Sequence, residues 1–150
     1  MKPGKDYIGV SAGFAIIDAE ERLLLTKRSQ NSGNEKGVWE FPGGKVHFGE
    51  TLEQAIKREA FEELGVGIEI LKVLGCFDHI IPEEKQHWVA NSFLCKIVSG
   101  TPKIMEPEKC DGLKWQKIDE IQNSEISIIS RVDLAKIKEL CSSGKLVLGL

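Results

Sequence analysis

The amino-acid sequence predicts one α+β layered domain, and three observations carry that prediction. Segments with strand chemistry, short and rich in β-branched, aromatic and small residues, bracket a single strong helix-forming stretch. A second stretch near the C-terminus repeats apolar residues at helical spacing. The 150 residues, 41% of them hydrophobic, suffice for one buried core, with no repeat, low-complexity tract or linker to divide it.

The elements follow in order. Tyr7 to Ile17 is mainly small, β-branched or aromatic, and Asp18 to Arg22 supplies a polar turn before Leu23 to Thr26, which predicts a β-hairpin. Lys27 to Gly37, rich in Ser, Asn, Gly and charge, predicts a loop, and Gly37 to Phe41 a short strand ending at Pro42-Gly43-Gly44. Thr51 to Leu64 is built from good helix formers, with Thr51 and Gln54 spaced as a capping box and Gly65 and Gly67 placed to stop the helix. Ile68 to Phe77 and His87 to Val98 predict a second hairpin across the polar loop Ile81 to Gln86, where Pro82 sits as proline often does in a turn. After a loop from Gly100 to Cys110, Gly112 to Ile118 predicts another strand. Ile129 to Leu140, apolar at Val132, Leu134, Ile137 and Leu140, predicts a helix packed on the sheet.

Composition excludes several classes of function. The charged fraction of 29% is mixed in sign and nets to -3, so neither a nucleic-acid polymer nor an anionic membrane surface is an expected partner. Cys76, Cys95, Cys110 and Cys141 are scattered, without the C-x-x-C pairs of a zinc site or the density of a secreted disulfide scaffold. The apolar run after Asp6 is too brief for a signal sequence or a membrane span, so a soluble, cytoplasmic protein is expected. His47, His79 and His87 have no mutual spacing that suggests a metal site.

The chemistry concentrates in the predicted helix 51–64. At about 100° per residue, Leu52, Ala55 and Ile56 mark its buried face; Glu59 and Glu63 fall on that face and Glu62 within a quarter turn of it. A carboxylate aimed into an apolar interface is costly unless paired or bound to a cation. The ordinary alternative is a solvated helix whose acids pair with Lys57 and Arg58. Against it, three acids at i, i+3 and i+4 repel one another, and hard oxygen ligands gathered in this way suit magnesium or manganese. Gly43, Gly44 and Gly49 permit a close backbone approach just ahead of the helix.

Gly44, Glu50 and the run Arg58-Glu-Ala-Phe-Glu-Glu-Leu-Gly-Val66 together resemble the complete Nudix box. The resemblance implies the Nudix fold, a mixed β-sheet packed between helices in an α/β/α sandwich, and Mg2+ or Mn2+ as cofactor. It implies that Glu59, Glu62 and Glu63 bind the cation with the backbone carbonyl of Gly43. Arg58 would orient these acids, Glu50 would join the same charged cluster, and Glu59 or Glu62 would serve as base. Glu108 or Asp111, in the loop from Glu106 to Asp111, would supply a further acid.

Further likeness narrows the branch. Trp39 to Lys45 and Thr26-Lys-Arg28 resemble the MutT-type members, and Gln86-His-Trp-Val89 and Glu106-Pro-Glu-Lys109 resemble nucleoside triphosphate diphosphatases. These imply a small-molecule nucleotide substrate, a nucleoside or deoxynucleoside triphosphate cleaved to monophosphate and pyrophosphate by water attack at phosphorus. Arg28, Lys45, Gly44 and Trp39 are the expected substrate contacts, although for Trp39, Phe41 and Trp88 a place in the core is the stronger expectation. ADP-ribose or a nucleotide sugar is the alternative substrate, since Pro82 stands near a proline of ADP-ribose-cleaving relatives, and a non-catalytic nucleotide-binding module is the alternative of another class. A monomer or a homodimer is expected.

Overall fold

Strands β1 (Gly9–Ile16) and β2 (Arg22–Arg28) are buried on both faces, and that double burial sets the architecture of this computed structural model, which describes residues 1–33 and 35–144. Asn34, within the predicted loop 27–37, and the last six residues lie outside the described part. Along β1, Ala12, Phe14 and Ile16 face one core while Ala15 and then Ile17 face another; in β2, Leu24 faces the first and Leu23 and Leu25 the second. A strand covered on both sides reads as a continuous apolar run, as Leu23-Leu-Leu25 does.

The remaining elements are β3 (Trp39–Glu40), β4 (Gly43–Lys45), α1 (Leu52–Leu64), β5 (Gly67–Ile81), β6 (Gln86–Ser99), β7 (Cys110–Lys117) and α2 (Ile128–Ser142). They form a four-stranded mixed sheet ordered β4-β1-β6-β5 and a three-stranded antiparallel sheet ordered β3-β2-β7. Helix α1 closes the first core with Ala55, Ile56, Ala60 and Leu64, and α2 closes the second with Leu134 and Ile137. Sheets between two helices give the α/β/α arrangement of the Nudix fold. Among the described residues no helix is long and apolar enough to cross a membrane.

Three expectations are corrected. The first predicted hairpin turns as expected, with Asp18 N–H donating to the Arg22 carbonyl at 3.0 Å, but only Ile17 bridges Leu23 before the strands part into different sheets. The reason is competition for edges: β4 and β6 occupy both sides of β1, leaving β2 to pair with β3 and β7. The Gly-Gly pair, read as the end of a strand, is itself strand β4, with Gly43 opposite Gly13. A Cβ on Gly43 would lie 2.7 Å from the Ala12 carbonyl oxygen, so this pairing excludes the very residue types that strand propensity favours. On α2, Val132 is 39% exposed, and Asp133 is buried in its place.

The elements flanking the candidate site keep their predicted form. Thr51 accepts from Gln54 N–H at 3.1 Å while Gln54 Oε1 accepts from Thr51 N–H at 2.8 Å, and Gly65 ends α1 with φ 70°, a left-handed conformation that glycine adopts without strain. The second hairpin, β5 with β6, runs longer at both ends than the sequence indicates, and Pro82 opens the 3₁₀ turn between them.

Candidate active site

Arg58 organises the acids of α1. Its Nε donates to Glu50 Oε2 at 3.0 Å, and its Nη2 to Glu50 Oε1 at 2.7 Å and to the Lys45 carbonyl at 2.9 Å. Its Nη1 donates to Glu59 at 2.9 Å and to Glu62, one turn further on, at 3.2 Å. Glu50 also accepts from His47 N–H at 2.8 Å. One planar guanidinium thus ties the helix to β4 and to the loop between them, a task its fork of donors suits and a lysine could not perform. Bonding to Arg58, aided by the His47 amide, lowers the Glu50 carboxyl to about 2, and the same bonds raise Arg58 above its ordinary value.

Glu63 stands differently. Burial, then the neighbouring Glu59, pushes its carboxyl far above the ordinary range, and the groups acting on it are acids: Glu59, Glu40 and Glu106. Gly44 packs against the same place, since a Cβ there would fall on the Glu59 carboxylate. Among the described residues no three His, Cys, Asp or Glu side chains are gathered tightly enough to hold a metal ion as they stand. Glu59 meets Glu63, and the Arg58 guanidinium holds Glu59 and Glu62 together.

These acids border a cleft of about 500 Å³ that also takes in Arg28, Gly43, Gly44, Lys45 and the loop before β7. That loop is fixed to the end of α1, where Lys103 N–H donates to the Leu64 carbonyl at 3.0 Å and Met105 N–H to the Glu63 carbonyl at 3.1 Å. It brings Glu106, Glu108 and Lys109 to the cleft. Of the two acids expected from this loop, Glu108 lines the cleft, whereas Asp111 is not among the lining residues and accepts from Gln30 N–H at 3.2 Å. Glu106 has the better claim to act on the box acids. The run Glu106-Pro-Glu-Lys109 contains it, but nothing in the sequence ranks it above Glu108.

Among the expected substrate contacts, Arg28, Lys45 and Gly44 line the cleft and Trp39 does not. Trp39 packs against the second core, with Lys114 Nζ 4.3 Å from its ring centroid. Arg28 Nη1 donates to both carboxylate oxygens of Glu40 at 3.2 Å, and burial raises Glu40 against the pull of Arg28. Sequence reasoning did not select Glu40. It also passed over a second cavity of about 380 Å³, which shares Arg28, Glu40 and Pro42 to Lys45 with the cleft and continues between β6 and α2 past Trp88, Asn91, Ser92 and Asp133.

The model of the NUDIX domain matches residues 8–132. A crystal structure of a MutT NUDIX hydrolase from Burkholderia pseudomallei superposes with a TM-score of 0.81 at 35% identity, over 88% of this chain and 99% of that one. An 8-oxo-dGTP diphosphatase of Proteus vulgaris is 34% identical over 60% of this chain and 77% of its own length. An ADP-ribose pyrophosphatase of Methanocaldococcus jannaschii is 32% identical over 63% of this chain. The chain spans 54% of the length of that relative, and 33% of another from Caenorhabditis elegans.

Proposed function

Because this chain belongs to the NUDIX domain family, we propose that it is a divalent-cation-dependent hydrolase that cleaves a nucleoside or deoxynucleoside triphosphate to its monophosphate and pyrophosphate. The observation that carries this reading is the arrangement on α1: one Arg58 guanidinium serves Glu50, Glu59 and Glu62, and Glu63, raised by burial and by Glu59, Glu40 and Glu106, lines the same cleft as Gly43 and Gly44. A cation fits that position. The donors are hard oxygens, the carboxylates of Glu59, Glu62 and Glu63 with the Gly43 carbonyl, a set that suits Mg2+ and Mn2+ alike. When bound, such an ion polarises the phosphate and makes water a better nucleophile.

The chain's own side chains do the rest. Arg58 positions Glu59 and Glu62 and restrains their carboxylates, and Glu59 or Glu62 accepts the proton of the attacking water. Arg28, Lys45 and Lys109 line the same cleft and offer cationic contacts to phosphate oxygens, with Glu40 holding the Arg28 fork in place. Glu106 is the loop acid that completes the cluster. The four cysteines are free thiols, which fits a reducing cytoplasm, and we assign the chain to one catalytic domain.

The test is release of pyrophosphate or phosphate from a panel of triphosphates, ADP-ribose and nucleotide sugars, with Mg2+ and with chelator. Triphosphates are expected to give pyrophosphate only with the cation, and Glu62→Gln to lose on the order of 10²- to 10³-fold in kcat while remaining folded. Preferential cleavage of ADP-ribose would replace the substrate assigned here. Absence of product from every compound would identify a binding module instead.

A further inference from the structure

Lys109 stands at the edge of the acid cluster and is paired there with one acid. Its Nζ lies 3.4 Å from Glu106 Oε2, and both residues line the cleft. The backbone beneath it is fixed on two sides: Lys109 N–H donates to the Glu106 carbonyl at 2.9 Å, and the Lys109 carbonyl accepts from Ser29 N–H at 3.2 Å. The same loop is tied to the end of α1 through Lys103 and Met105, so the root of the side chain has a fixed position relative to the acids of that helix.

The ammonium itself is tethered rather than locked. The Lys109 side chain is 69% exposed, and a hydrated charge on a long flexible stem forms an ion pair that contributes little and exchanges easily. Its charge still acts on the cluster. Glu106 chiefly, with Glu59 and Glu63 behind it, raises the Lys109 ammonium above its ordinary value. Arg58 cannot take over this task. The five N–H groups of its guanidinium are matched by five hydrogen bonds, to Glu50, Glu59, Glu62 and the Lys45 carbonyl, and none remains for Glu106.

We infer that Lys109 is a tethered counter-cation of the acid cluster: its ammonium holds the place at Glu106 that a divalent cation takes on binding, and the two compete for it. The inference rests on the cation-dependent reading of the cleft. A competitor on a short tether never diffuses away, so its effective concentration at the acids stays high whatever the solution contains. A divalent cation alone therefore binds against a resident charge. Once displaced, the ammonium remains in the cleft, where the phosphate oxygens of a triphosphate offer it another partner.

The test is Mn2+ binding to the whole chain without nucleotide, followed by electron paramagnetic resonance, so that affinity rather than turnover is read. Lys109→Met keeps the apolar stem, removes the charge, and is expected to bind Mn2+ about five- to tenfold more tightly than the unsubstituted protein. Lys109→Arg keeps the charge and is expected to show no tightening. Lys103→Met removes a charge from the same loop outside the cleft and is expected to change the affinity by less than about twofold. Unchanged or weakened binding in Lys109→Met, tightening in Lys109→Arg, or equal tightening in Lys103→Met would overturn the inference. No saturable Mn2+ binding in any of the four proteins would overturn it together with the cation-dependent reading. Tightening confined to Lys109→Met, in a protein that cleaves no triphosphate, would refute the hydrolase and leave Lys109 its role.

Discussion

Around Arg58, a single guanidinium makes four hydrogen bonds to three glutamates, whereas on the other side of the sheets Asp133 keeps an oxygen with no partner at all. The two helices solve the same problem, an acid on a face turned inward, in opposite ways. Helix α1 carries a cation of its own, with Arg58 next to Glu59 and one turn from Glu62, so part of its cluster is assembled by local spacing. On α2 the hydrogen-bond partner of Asp133 is Ser92, which comes from β6 rather than from the helix itself.

The comparison breaks first, and with the largest effect, at Gly44. A Cβ there meets the Glu59 carboxylate, a flexible group that can give way, so Gly44→Ala is expected to lower kcat by about 100-fold through displacement of Glu59. Its urea midpoint should stay near that of the unsubstituted protein. A full-rate Gly44→Ala enzyme would show that Glu59 need not stand where α1 holds it.

Arg58→Ala comes next. It leaves Glu50 and Glu59 without their shared donor, and urea unfolding is expected to show a lowered midpoint. Arg58→Lys should recover little of this, because an ammonium cannot bridge Glu50, Glu59, Glu62 and the Lys45 carbonyl at once. Equal stability of the two would mean that charge rather than geometry holds the cluster.

The smallest effects are in pH, and they have opposite signs in the two regions. Glu50, lowered to about 2, stabilises the fold above its unfolded value of about 4.3, and that contribution disappears as pH falls from there through about 2. Asp133, raised to about 6, is tolerated best when protonated; its cost is absent below about 4 and grows as pH rises to about 6. Thermal melts should therefore show Glu50→Gln flattening the acid limb below pH 4. Asp133→Asn should gain on the unsubstituted protein between pH 4 and 6. Parallel curves for either variant would remove that residue from its assigned environment.

How much of this was legible in the sequence follows from the same contrast. Around α1 the capping pair, the terminating Gly65 and the acids on the buried face are all local features, so the helix and its chemistry could be read before the fold. Sheet assignment could not. The turn after Ile17 was clear, but which strand lay beside β1 depended on β6, some eighty residues away, and on the glycine strand β4 that propensity hides. Trp39 had a motif position and no indication of its partners, and it packs against Lys114 from a strand distant in sequence. Asp133 was missed for a reason that can be repaired. It lies on the face marked by Leu134 and Ile137, so the face conflict that singled out Glu59 and Glu63 applies to it equally.

The most direct measurement is Mn2+ binding followed by electron paramagnetic resonance, in the presence of a triphosphate analogue that cannot be cleaved, for the unsubstituted protein and for Glu59→Gln and Glu63→Gln. Saturable binding that each substitution weakens by at least about tenfold is the expected result. Undiminished binding in both variants would contradict the assignment of the α1 acids as the cation site.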